Sequence, residues 1–300
     1  MFFSNSKVSL VFTTIFIFRY FGLFPYSWKN SKVIFNRKES TNRKLVLNSY
    51  FYCNTLILIL GMSLAVLSNS VEKLDIFLEK EFSTEGISYL LLVIVISSLY
   101  ILYWIMIITN IRKLKFFINF HLKFFMPIEI KIDWFFKIYV LSSIGFIGEM
   151  IVRILIHLYE SNLFSTLDVL IQIYKNSIFR GGYLLLFYSV NLSFSKQWEL
   201  INSSKFLKPD FSNLESTIKI SNELVKSQNK SNHLFSNLVS ICLITNIFSV
   251  IFNTFLIIVR SSNYNLTINE IKYISTSILQ TILVCDVSEK LNTQVSLRTF

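Results

Sequence analysis

LFSNLVSICLITNIFSVIFNTFLIIV, Leu234 to Val259, runs without one charged side chain. An α-helix rises about 1.5 Å per residue, so around 20 apolar residues cross a hydrocarbon core of about 30 Å, and this stretch is long enough. Outward from it, the same test reads further blocks as spans: Leu45 to Leu67, Ser88 to Asn110, Trp134 to Leu158, Leu167 to Phe194 and Ile271 to Val287. The last is the most polar, with Ser275, Thr276, Ser277, Gln280 and Thr281, and is expected to face other helices. The expectation is therefore an all-α fold, a polytopic transmembrane helical bundle of six spans. Composition points the same way: 53% hydrophobic residues, 30 Phe among 300, 16% charged residues and a mean hydropathy of +0.54 exceed what a soluble interior absorbs.

Basic residues set the expected orientation, because Lys and Arg concentrate in inner joints. Lys7, Arg19, Lys29, Lys32, Arg37, Lys38, Arg43 and Lys44 precede the first block, and further groups follow the second and fourth blocks. The amino terminus is thus expected in the cytoplasm. The acidic joint with Glu72, Asp75, Glu79, Glu81 and Glu85 falls outside. Val8 to Phe18 is too short for a span and reads as an interfacial or re-entrant element. The expected organisation is a cytoplasmic segment over 1–44, spans over 45–195, and a cytoplasmic loop with a helical extension over 196–233. Spans again occupy 234–287, and a cytoplasmic stretch occupies 288–300. The net charge of +11 is scattered through the joints rather than gathered on one face, which argues against nucleic acid as a partner. Cys53, Cys242 and Cys285 all lie in apolar blocks without metal-ligand spacing, so neither a disulfide framework nor a metal site is expected.

Ionisable groups inside apolar blocks are costly and often mark a cavity. Glu149, Arg153 and His157 recur at four-residue steps and so stack on one helical face. Asp168, Gln172, Asn176 and Arg180 do the same on the next block, with Lys175 beside them. If the two helices run antiparallel, His157 stands opposite Asp168, Arg153 opposite Gln172, and Glu149 near Lys175. Such a column either lines a pocket open to the outside or consists of groups that satisfy one another within the bundle. Asn246 and Asn253 share a face of the fifth block, and Tyr89 stands at the outer end of the second. No GxSxG, HExxH, Gly-rich phosphate loop or paired acidic motif occurs, so no enzyme and no cofactor are expected.

Two stretches carry a resemblance: FGLFPYSW, Phe21 to Trp28, just before the first block, and the closing VCDVSEKLNTQVSLRTF, Val284 to Phe300. Together with the inner amino terminus and the basic loop after the fourth block, they resemble the insect gustatory receptors of the seven-helix chemoreceptor superfamily. The resemblance implies a multi-pass plasma-membrane receptor that binds small-molecule tastants in an outer-side pocket and works as a tetrameric ligand-gated cation channel, homomeric or formed with related receptors. Carried onto this chain, the pocket would use Tyr89, Arg153, His157, Asp168, Gln172, Asn253 and Gln280. The family's seventh helix ends in TY, about five residues, then QF. Neither pair occurs here, so the resemblance implies a subunit that stops before its pore helix. A transporter or channel of another class, using the charged column for permeation, is the rival expectation.

Overall fold

The computed structural model describes residues 26–35, 38–47, 109–120, 134–159, 181–205, 211–259 and 264–296, with isolated positions at 11, 13–15, 24, 95, 98–99, 102 and 105–106. After the helical positions 11 and 13–15 comes a β-hairpin, β1 (Tyr26–Phe35) antiparallel to β2 (Lys38–Leu47), in register from Tyr26 opposite Leu47 to Phe35 opposite Lys38. That register leaves a two-residue connection, the tightest an antiparallel pair allows. Helices follow: α1 (109–120), α2 (Trp134–Tyr159), α3 (Gly181–Lys205), α4 (Phe211–Val259) and α5 (Tyr264–Ser296).

α3 is the axis of the core. From Tyr183 to Phe194 nearly every side chain is buried, as in a helix covered on all sides. Its serines are accommodated in this dry setting by bonding backward along their own helix: Ser189 Oγ donates to the Leu185 carbonyl at 2.6 Å and Ser193 Oγ to that of Ser189 at 2.8 Å. Aromatic rings join it to its neighbours. Phe136 of α2 stacks on Tyr188 at 4.9 Å, Phe117 of α1 meets Phe194 edge-on at 6.4 Å, and Phe235 of α4 meets Phe187 at 5.8 Å. Trp198, wholly buried, donates its indole N–H to Gln228 of α4 at 3.2 Å. The amino-terminal piece joins the same core, since Val11 and Ile15 are fully buried and the Thr14 and Ser189 hydroxyls lie 3.1 Å apart.

α4 and α5 pack against each other along a seam of period 3.5. On α4 the buried positions form two seven-residue rows, Leu224, Ser231, Leu238, Thr245 and Phe235, Cys242, Ser249, Leu256. On α5 the rows are Ser277, Val284, Leu291 and Gln280, Val287. Matching heptads on two helices joined by a short link give antiparallel packing with a left-handed supercoil.

The expected all-α bundle of six membrane spans is corrected by these elements. Among the described residues, one helix is long and apolar enough to cross a bilayer, over Thr217–Ile258. The chain also contains a hairpin, and Leu45 to Leu47, expected to begin the first span, form the end of β2. Uncharged polar residues such as Ser189, Asn191 and Ser193 on α3 and Ser275, Thr276, Ser277 and Gln280 on α5 dilute the apolar ones, and charged side chains add to this. α3 holds Lys196, Glu199 and Lys205, α5 holds Glu270, Lys272, Asp286, Glu289 and Lys290, and α2 holds Lys137, Glu149 and Arg153. The boundaries expected at 195–196, 233–234 and 287–288 all fall inside continuous helices. The FGLFPYSW stretch leads into the hairpin, with Phe24 and Tyr26 buried edge-on to each other at 5.3 Å. The blocks Leu45 to Leu67 and Ser88 to Asn110 lie largely outside the described residues, as does the first half of Leu167 to Phe194.

Candidate functional site

The upper half of α4 reverses the ordinary order of a helix. Isoleucines of one face point away from the molecule, Ile247 57% exposed, Ile251 56% and Ile258 70%, whereas the neighbouring Asn246 is 1% exposed and Asn253 7%, beside the buried Cys242 and Leu256. The polar side chains turn inward and meet α5, where Ser277 and Gln280 are buried and Thr281 is half-buried. Asn246 Nδ2 donates to Thr281 Oγ1 at 3.2 Å, the direct link across the seam. Thr281 Oγ1 in turn donates to the Ser277 carbonyl at 2.9 Å, and Thr245 Oγ1 to that of Ile241 at 2.7 Å. Asn253 Nδ2 bonds within its own turn, to the Ser249 carbonyl at 2.5 Å and the Ser249 hydroxyl at 3.1 Å.

Acceptors in this seam are left over, and the Ser231 hydroxyl, lower along the α4 side of the seam, is likewise without a hydrogen-bond partner among the described residues. The side-chain carbonyl oxygens of Asn246 and Gln280 are buried and have no hydrogen-bond partner among the described residues. A buried polar atom without a partner costs about 1–3 kcal/mol, so each has the capacity to accept a donor from a hydroxyl, amine or water. Among the described residues no group of three His, Cys, Asp or Glu side chains that could hold a metal ion is present.

A charged cluster joins α2 to α5. Glu149 sits between two cations, with Oε1 accepting from Arg153 Nη2 at 2.8 Å and Oε2 from Lys272 Nζ at 2.6 Å. All three side chains are roughly one-third exposed. Deeper in the core, burial pushes the Tyr188 hydroxyl well above the usual phenol range and the Asp286 carboxylate adds to the shift, so the group stays protonated.

Of the seven expected site residues, the structure describes the side chains of three. Arg153 is tied to Glu149 within α2, while Asn253 and Gln280 lie on the facing sides of α4 and α5. His157 lies on α2, but its side chain falls outside the described residues, as do Tyr89, Asp168 and Gln172. Lys175, expected near Glu149, is also outside them. The carboxylate's described cross-helix partner is Lys272. Sequence reasoning overlooked Lys272 and Thr281 as partners, although the polar run from Ser275 to Thr281 in an apolar block was a usable signal for the second. Compared with known proteins, the chain matches no family model and no curated sequence.

Proposed function

We propose that this chain is a membrane-lodged receptor-type subunit of the gustatory kind, held in lipid by Leu234–Val259 and binding a small polar or amphipathic molecule in the seam between α4 and α5. The observation that carries the proposal is the inverted helix: isoleucines outward, Asn246, Ser249 and Asn253 inward. In water this arrangement leaves apolar surface exposed and buries polar groups. In lipid both choices are favourable, because the hydrocarbon accepts the isoleucines and the polar groups are kept from it, bonding within their own helix or, as Asn246 does, to the neighbouring one. Exposed Leu141, Ile144, Val152 and Leu155 on α2 extend the same apolar skin. The leftover carbonyls of Asn246 and Gln280 support a ligand site in the seam. The receptor character rests on the resemblance carried by Phe21 to Trp28 and Val284 to Phe300.

The test uses the full chain. Membranes from expressing cells are washed with alkaline carbonate, and the detergent-purified protein is melted against a panel of sugars, polyols and aromatic amines. The chain is expected to stay in the washed membrane, and at least one compound is expected to raise the melting temperature of the natural chain but not of Gln280→Leu. Release by carbonate would overturn the lipid assignment. If no compound stabilises the chain, or every stabilising compound acts equally on Gln280→Leu, the seam is not the binding site.

A further inference from the structure

Below the uncharged stretch of α4, where it passes α1, lies an open cavity of about 570 Å³. That volume falls in the range that holds small ligands, about 300–1,000 Å³. Its lining divides by chemistry. Arg112 and Lys113 of α1 and Lys230 of α4 supply positive charge, and His233 adds a ring N–H donor. Phe116 and Phe120, both largely exposed, present apolar faces beside them and lie 6.4 Å apart in stacked orientation. Lys230 Nζ sits 4.7 Å from the centre of the Phe120 ring. No acidic side chain is among the described lining residues.

We infer that this cavity binds the headgroup of an anionic phospholipid, with the phosphate on Arg112, Lys113 and Lys230 and the start of the acyl chains along Phe116 and Phe120. Three arguments select this occupant. Charge complementarity requires an anion, and the guanidinium of Arg112 matches the oxygens of a phosphate. The exposed phenylalanines require that the anion carry an apolar body, which inorganic phosphate lacks. Position supplies the third argument: Lys230 and His233 stand within a turn of Leu234, where the uncharged stretch begins, which is the depth of a headgroup if that stretch is in lipid. The inference rests on the membrane assignment of α4 only for this third argument.

The probes are water-dispersed dioctanoyl phosphatidylglycerol, dioctanoyl phosphatidylcholine and glycerol 3-phosphate, titrated onto the detergent-purified full chain with binding read by melting temperature. Because the lipids are added as soluble short-chain molecules, the result does not depend on whether the chain resists carbonate. Phosphatidylglycerol is expected to bind at least about tenfold more tightly than phosphatidylcholine. Since a basic residue near an anionic surface is worth about a fivefold change each, R112Q/K113Q is expected to lose about twentyfold for phosphatidylglycerol and little for phosphatidylcholine. Both replaced side chains are exposed, so folding is not at stake. F116A/F120A is expected to weaken both lipids. Equal affinity for the two lipids, an unchanged preference in R112Q/K113Q, or glycerol 3-phosphate binding as tightly as phosphatidylglycerol would each overturn the inference.

Discussion

Glu149 holds two cations at once, and its contribution depends on how much water reaches it. A half-exposed ion pair in water is worth about 0–1 kcal/mol, because screening and side-chain entropy offset most of the attraction. The pair with Lys272 bridges two helices far apart in sequence, whereas the pair with Arg153 stays within one turn. In a double-mutant cycle on the detergent-purified chain, Glu149→Gln and Lys272→Met are expected to couple by about 0.5–1 kcal/mol. Glu149→Gln with Arg153→Met is expected to couple by about 0.3–0.5 kcal/mol, typical of a helical i,i+4 pair. Chemical denaturation of the four proteins in each cycle measures both. Coupling near zero for Lys272 would mean that the contact does not hold α2 to α5. The sequence put Glu149 and Arg153 on one face by spacing alone, which local geometry determines. It could not reveal Lys272, because a partner 123 residues away is set by packing rather than by period.

At the scale of elements, α4 is the decisive helix, and its outward isoleucines give a sharp contrast between solvents. Replacing Ile247 and Ile251 with Lys on a water-exposed face would be nearly neutral or would aid solubility. On a lipid face each lysine costs about 2.5–3.5 kcal/mol at the centre of the bilayer. I247K/I251K is expected to shift the chain from the carbonate-resistant membrane fraction to the soluble or aggregated fraction, while N229K, at an exposed position before the uncharged stretch begins, is expected to leave it in the membrane. Immunoblotting of the two fractions reads the result, and equal partition of all three proteins would contradict the lipid-facing assignment. This helix was legible because an uncharged run of that length has few alternatives. α2 was legible as well, starting at Trp134 as expected. The hairpin was not. YSWKNSKVIF and KESTNRKLVL mix polar and apolar residues on both alternating faces, and no Asn-Gly or Asp-Gly marks the turn, so period and turn chemistry were both silent. The lower part of α4 was read partly as loop because Ser221, Ser227 and Ser231 take buried positions where apolar residues would have announced the seam.

Across the whole molecule, α3 carries the packing and the other described helices gather on it. Trp198 is the largest wholly buried side chain, and removing such a ring costs about 3–5 kcal/mol, partly from the cavity left behind. Trp198→Ala is expected to lower the stability of α3, α4 and α5 together, giving one earlier transition in a detergent melt followed by circular dichroism. Trp198→Phe keeps most of the volume but loses the bond to Gln228, and should cost about 1 kcal/mol. Two separate transitions in Trp198→Ala would mean that the helices do not unfold as one unit.

The unbroken course of α4 has one further mechanical consequence. At about 1.5 Å per residue its 49 residues extend for roughly 74 Å, and no Pro or Gly interrupts them. The uncharged stretch takes up about half of that length, and the remainder continues the same rod below it, buried along Ser221, Leu224, Ser227 and Ser231 and joined to Trp198 of α3 through Gln228. A tilt of about 5° imposed at the seam would swing the far end by roughly 3 Å, since a helix of this kind turns as a single body over such a span. Occupancy at one end would thus be felt at the other as displacement, with no intervening hinge to absorb it.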